Sequence, residues 1–398
     1  MQVEENIIDS AFKEIGGIVK TAIARPIKIC MVCSPGMGGS GIMGSAVASD
    51  LAARGHEVHL ISYKKPFRLD NKKVRTHFIP LRDYQVLEHF PIVMSTASKI
   101  YDVVKKHQME IINVHYAIPY STASYLAREM FKSENVKIPI ITTVHGTDVH
   151  TIGQKKELKD IVRFTLKSSD GITTVCQYLA DQIKKKFDIE NNVKVIHNYV
   201  DTERFKKTEN PRLKRRLGGG KKIILHASNF RTIKNVDHII DVFRKLARSV
   251  PCRLVLVGDG PEKQNIRRKV SRCGLSKDVI FVSSQKGMEK FYSVADIFLL
   301  SSIREGLPLS VLEAMSSSLP VVSTKVGGIP EAVDDNRTGY LARFGDSERM
   351  VDKLHNLLSD DKKRDRMGKA GRKKVLRKFT AEKIIPQYES YYRKIMLS

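Results

Sequence analysis

Tryptophan is absent from this 398-residue chain, and cysteine is limited to five positions. Five cysteines in a chain this long do not make a disulfide framework. Cys30 and Cys33 form a C-x-x-C, but they lie inside the apolar run 27–33 and read as small buried residues of a strand, not as a redox or metal motif. No uninterrupted apolar run is long enough to span a bilayer, and residues 1–25 lack the basic-then-apolar order of a secretory signal, so a cytoplasmic protein is expected. Acidic residues are also scarce: 43 against 69 Lys and Arg, a formal net charge of +26. Nucleic acid, an anionic membrane surface and acidic small molecules all suit that charge. The basic residues are spread out, with denser stretches at 184–186, 214–216 and 362–378, and none is interleaved with aromatics as a base-stacking platform requires. Solvated lysine-rich helix faces explain most of them, and specific nucleic-acid binding is not expected.

What the chain does have is an alternation of short apolar runs with longer amphipathic ones. Runs at 27–33, 58–62, 111–115, 138–144, 171–176 and 193–197 form one set; runs at 222–228, 253–258, 279–282, 297–301 and 320–323 form a second, with a helix expected over 236–249. Such alternation predicts α/β architecture, with two doubly wound parallel sheets covered by helices on both faces. Residues 198–222, polar and basic with Gly218-Gly219-Gly220, suit a linker or a surface excursion between the two units. The expected division is an N-terminal helical extension (1–26), a first Rossmann-like domain (27–200), a second (201–378) and a closing helix (379–398). Ligands of such sheets bind outside the carboxyl ends of the strands, which places a site in the cleft between the two units.

The residues after those strands carry the chemistry. Arg304-Glu305-Gly306-Leu307-Pro308-Leu309 holds one carboxylate off a helix, while Glu313, eight positions on, is expected in the helix's first turn. Two carboxylates so placed could grip hydroxyl groups on either side of a phosphate at the helix N-terminus, the layout of a nucleotide sugar. Gly36, Gly38 and Gly41 match G-x-G-x-x-G, but no acidic residue ends the second strand where a dinucleotide ribose would need one, which disfavours a dehydrogenase. His115 and His145 each end a strand of the first unit. Asn229, Arg231 and Lys234 follow a strand of the second, where basic groups can neutralise a departing diphosphate.

Taken together, the Gly38-Gly39-Ser40-Gly41 loop, His145-Gly146-Thr147-Asp148, Val257-Gly258-Asp259-Gly260-Pro261, the Glu305/Glu313 pair and Gly327-Gly328-Ile329-Pro330-Glu331 resemble a retaining family 4 glycosyltransferase of GT-B fold. Pro66-Phe67-Arg68-Leu69, His115-Tyr116-Ala117-Ile118-Pro119 and Asn229-Phe230-Arg231 resemble, within that family, the bacillithiol-pathway subgroup that joins N-acetylglucosamine from UDP to L-malate. The resemblance implies donor-binding roles for Gly39, Lys234, Glu305, Leu309 and Glu313, with Glu313 on the ribose and Glu305 facing the sugar. It implies catalytic roles for His145, Lys234, Glu305 and Arg231, and an acceptor site of Ser40, Tyr116, Thr143 and Asn229. No metal or other cofactor is implied, the UDP-sugar being a co-substrate, and the chain has no Asp-x-Asp motif. The expected partners are a UDP-sugar donor, a small anionic acceptor, a peripheral anionic membrane surface and a second copy of the chain in a homodimer.

The sequence also departs from that pattern. Asn229 stands where the wider family has arginine, Glu305-Gly306-Leu307-Pro308 replaces the Glu-Ser-Phe-Gly of the malate subgroup, and Ser283 stands where a glycine is usual. Two other readings therefore stay open: transfer to an anionic lipid or glycan at a membrane, with residues 1–25 as an anchor, and binding of a nucleotide sugar or nucleic acid without turnover.

Overall fold

Thirteen short strands form two separate all-parallel sheets in the computed structural model, which describes residues 25–69, 71–80, 91–190 and 193–398. The first sheet is built from β1 (Lys28–Val32), β2 (Glu57–Ser62), β3 (Arg75–Phe78), β4 (Ile111–His115), β5 (Ile140–Val144), β6 (Gly171–Thr174) and β7 (Val193–Val195), in the order 3-2-1-4-5-6-7. The second is built from β8 (Lys222–Ala227), β9 (Cys252–Val257), β10 (Val279–Val282), β11 (Ile297–Leu300), β12 (Val321–Thr324) and β13 (Gly339–Ala342), in the order 10-9-8-11-12-13. The apolar runs become central strands because a parallel sheet is covered on both faces and every side chain must be buried. In β4 and β5 all five residues of each strand are buried. The N-terminal extension expected over 1–26 lies outside the described residues except for its last two.

Each strand order reverses once, between β1 and β4 and between β8 and β11. Loops diverge at such a reversal and leave a crevice at the carboxyl ends of the two strands. The glycine-rich loop and helix α1 (Gly39–Ala53) follow β1, and His115 ends β4. On the other lobe Asn229, Arg231 and Lys234 follow β8, while Glu305 and helix α2 (Leu309–Ser316) follow β11. Four loops singled out in the sequence thus flank the two crevices.

The segment 198–222 is not a free linker. Tyr199, Val200 and Phe205 are buried, and Pro211–Gly218 is a helix whose Asn210 side chain accepts from the Leu213 N–H at 3.0 Å. Gly219 and Gly220 have φ of +57° and +85°, so the glycines end that helix instead of forming a flexible tether. Helix α3 (Asp361–Lys378) packs on α2, whereas the next helix, α4 (Ala381–Met396), packs on α1 of the first lobe. There the Tyr392 hydroxyl donates to Asn113 Oδ1 at 3.0 Å, and the Glu389 carboxylate meets Arg54 at 2.7 Å and His56 at 2.9 Å. Cys30 and Cys33 are fully buried, and burial pushes both thiols up to about 12, as suits inert core residues. Among the described residues no helix is long and apolar enough to cross a membrane.

Candidate active site

The C-terminal lobe supplies the charged half of the cleft. Lys234 Nζ lies 2.6 Å from Glu305 Oε1, and the Ser302 hydroxyl donates to the same oxygen at 2.6 Å. Backbone bonds fix this pair: the Ile303 N–H donates to the Ile233 carbonyl at 2.9 Å, tying the loop after β11 to the loop after β8. Asn229 lies at the start of that second loop, and its buried Oδ1 has no hydrogen-bond partner among the described residues. A buried amide oxygen left unpaired costs free energy, and a bound hydroxyl or N–H would satisfy it. Arg231 is exposed, three residues before Lys234.

Glu313 does not lie in the first turn of its helix. Helix α2 begins at Leu309, with Pro308 as its N-cap, so Glu313 is in the second turn and the first carries no acidic residue. Pro308 takes the N-cap position because its fixed φ suits a helix entry and it has no N–H to leave unpaired. Glu313 is 5% exposed, and it receives a 2.8 Å hydrogen bond from Arg68 of the other lobe. Arg68 also lies 5.4 Å over the Phe205 ring. The buried Tyr292 phenol is held well above its usual value by burial and by the neighbouring Glu313 carboxylate. Leu309 packs against the apolar cluster of the N-terminal lobe that includes Met43 and Val47 of α1.

The N-terminal lobe supplies the other wall. Gly39 opens α1, is exposed, and would have nothing within 4 Å of an added Cβ, so its backbone faces free space. Gly41 is different: a Cβ there would sit 2.5 Å from the Ser34 carbonyl, so that glycine serves the loop's own packing. Ser40 is nearly buried beside them. His145 Nε2 lies 2.9 Å from His115 Nδ1, with the rings stacked. Burial pushes His145 down to about 3; burial, then the His145 ring, holds His115 well below the usual histidine value. Neither is charged near neutral pH, so the pair offers neutral hydrogen bonds and does not work as an acid poised at pH 7. Tyr116 has φ +112°, a strained value for a bulky side chain, and its ring lies 6.0 Å from that of His145.

Asp148 is what joins these loops. Its buried carboxylate accepts from the Ala117 N–H at 2.9 Å and the His145 N–H at 3.4 Å, and burial pushes it up to about 7 against those bonds. Asp148 closes the H-G-T-D motif, and the signal for its role is a carboxylate four residues after an apolar strand. Thr143 takes a place different from the one expected. It is fully buried, and its hydroxyl accepts from Asn113 at 3.0 Å and Thr173 at 2.8 Å, inside the polar chain that ends on Tyr392. Its hydroxyl is thus already engaged within the lobe, at the strand position paired with His115. The remaining groups do converge: a Cβ on Gly306, next to Glu305, would sit 2.8 Å from the His145 carbonyl, so His145 and Glu305 come from loops in direct contact.

Comparison with known proteins matches this layout. Residues 37–204 match Glycosyltransferase Family 4, and residues 207–374 match Glycosyl transferases group 1. Over 374 residues, 93% of this chain and 97% of the relative, the sequence is 34% identical to the N-acetyl-alpha-D-glucosaminyl L-malate synthase of Bacillus anthracis. This chain is a family 4 glycosyltransferase. The glycosyltransferase is also 26% identical, over 80% of its length and 85% of the relative's, to a GDP-mannose-dependent alpha-(1-6)-phosphatidylinositol monomannoside mannosyltransferase of Mycolicibacterium smegmatis. Its fold is that of Anabaena HepE solved with UDP-glucose, with TM-score 0.79 and 17% identity over 92% of this chain and 98% of that one. The family 4 glycosyltransferase therefore has the GT-B architecture, two Rossmann-like lobes facing each other.

Proposed function

We propose that this glycosyltransferase moves N-acetylglucosamine from UDP to a small hydroxy acid such as L-malate, with retention at the sugar carbon, as in bacillithiol biosynthesis. The observation that carries the reading is the Lys234–Glu305 contact at 2.6 Å, with Glu313 on the adjoining helix and Gly39 opening the opposite wall. In this reading Glu313 holds the ribose hydroxyls, and Glu305 accepts from a sugar hydroxyl. Lys234 binds the diphosphate, joined by Arg231, as charge builds on the leaving oxygen. The backbone at Gly39 and the free N–H groups at Leu309 and Ser310 approach the phosphates. His145 faces the reacting carbon. Ser40, Tyr116 and the unpaired Asn229 oxygen serve the acceptor. The departing phosphate takes the proton of the acceptor hydroxyl as the new glycosidic bond forms on the face the diphosphate leaves. None of these steps assigns a role to a metal. The identity to the malate synthase and the UDP-glucose complex of HepE support the donor and acceptor by analogy.

The test offers UDP-N-acetylglucosamine, UDP-glucose and GDP-mannose, each with and without L-malate, and reads products by mass spectrometry in the presence of a chelator. A glycosyl-malate formed chiefly from UDP-N-acetylglucosamine is expected; release of UDP that does not depend on malate would sink the acceptor assignment.

A second reading takes an anionic lipid at a membrane as acceptor, favoured by the +26 charge and by the phosphatidylinositol-linked substrate named for the M. smegmatis relative. Salt-sensitive pelleting with anionic vesicles, together with transfer to lipid and none to malate, would establish it.

A further inference from the structure

Three histidines meet away from the cleft: His59 on β2, His77 on β3 and His107 at the end of helix Ile92–His107. The parallel register pairs His59 with Arg75 and Ile61 with His77, so residues 57, 59, 75 and 77 share one face of the sheet. The helix covering that face brings in His107, whose ring centroid is 4.2 Å from that of His59. One ring nitrogen from each residue lies within 4.8 Å of the other two.

We propose that His59, His77 and His107 bind a divalent transition-metal cation of the zinc class, which staples the edge of the first sheet to its covering helix. Imidazole nitrogens suit such ions, and a water would complete a tetrahedral set. His59 Nδ1 and His77 Nε2 are 3.0 Å apart. Two nitrogens on one tetrahedral zinc stand about 3.3 Å apart, so little movement is needed. His59 Nε2 lies 3.2 Å from Glu57 Oε1, and a proton shared there leaves Nδ1 free as a ligand, the usual support for a metal-bound histidine. A hydrogen bond between His59 and His77 would explain one contact, but not the third ring, tilted at 57° against the first with its centroid 4.2 Å away.

Protons compete weakly for these rings. Burial first, then the His107 ring, holds His59 below the usual histidine value; burial, then Lys106, holds His107 below it; and burial, then the other two rings and Lys99 and Lys106, pushes His77 down to about 4. The opposing charges are Arg75, 3.5 Å from His59 Nε2, and Lys28, Lys99 and Lys106 around the cluster. Arg75 is largely exposed and already paired with Glu57 at 3.0 Å, so it can turn toward solvent. His107 ends a helix, where the carbonyl dipoles favour positive charge. It also leads into β4, so the cluster lies toward the amino ends of the strands and should bind metal independently of turnover.

The experiment uses untagged full-length protein, stripped with chelator and titrated with Zn²⁺ against a chromophoric competitor; Co²⁺ loading reports geometry from its visible spectrum. One Zn²⁺ per chain and an intense tetrahedral Co²⁺ spectrum are expected. His77→Ala and His107→Ala should each lose binding by more than the roughly tenfold effect expected for Glu57→Gln. Arg75→Ala should bind several-fold tighter, because it removes a competing charge. The proposal is overturned if wild-type protein takes up no stoichiometric Zn²⁺, or if both histidine variants, folded by circular dichroism, bind as tightly as wild type.

Discussion

Arg68 of the first lobe donates to Glu313 of the second across 2.8 Å, although 245 positions separate them in the chain. The carboxylate assigned to the ribose is therefore also a place where the lobes meet. Glu313 is 5% exposed, so its charge needs a partner, and Arg68 supplies it in the described conformation.

Removing that partner should be costly. Arg68→Ala leaves a nearly buried carboxylate without a counter-ion and should destabilise the protein by about 3 kcal/mol. Combining it with Glu313→Gln should recover much of the loss, since an amide needs no opposite charge. A double-mutant cycle in thermal or urea unfolding checks this; strictly additive losses would show the two residues uncoupled.

The Lys234–Glu305 pair gives a kinetic prediction. Lys234→Ala removes the cation that meets Glu305 and, in the proposed reaction, stabilisation of the leaving diphosphate. A fall in kcat/KM of about 10²–10³ is expected, the scale seen when one preorganised charge-stabilising group is lost. Steady-state kinetics with saturating acceptor reads it directly, with the melting temperature as the folding control. Full activity in this variant would remove Lys234 from the reaction.

Much of this arrangement could be read from residue patterns, and the exceptions have physical reasons. Central strands such as β4, β5 and β11 announce themselves because burial on both faces demands unbroken apolar runs. Strand β3 reads Arg-Thr-His-Phe, lies at the sheet edge and is mostly exposed, so no run marks it; β13 opens with a glycine and has only four residues. The glycines at 218–220 suggest flexibility by composition, yet two adopt the positive φ that ends a helix. Glu305, Lys234 and Glu313 can be singled out in the sequence because family spacing fixes them locally, although the turn of the helix that carries Glu313 cannot. Arg68 on Glu313 and Asp148 beneath Tyr116 and His145 were not, since each contact depends on how distant loops come together. Thr143 shows a related limit: strand alternation gives a side, but not whether a hydroxyl on that side is already engaged.

Asp148 sets a pH dependence of opposite sign to that of most carboxylates. Its folded value of about 7 lies above the 3.8 of a free aspartate, so its contribution to stability is full below about pH 4 and is lost as pH rises through 7. Asp148→Asn has no proton to lose there. Relative to wild type, the variant should gain stability between pH 4 and pH 7 and hold a constant difference above. Melting temperatures of both proteins across that range test it, and parallel curves would place the carboxyl's titration elsewhere.

Helix α4 gives the first lobe a late dependency. Ile384, Ile385, Tyr388, Tyr391, Tyr392 and Ile395 share one apolar cluster with Ile29 and Met31 of β1, but a ribosome makes them only after the entire second lobe. The lobe translated first thus waits with an uncovered face until this helix, made after the second lobe, arrives. A chain stalled near residue 378 would expose that face to chaperones, and native packing of the first lobe becomes a post-translational event.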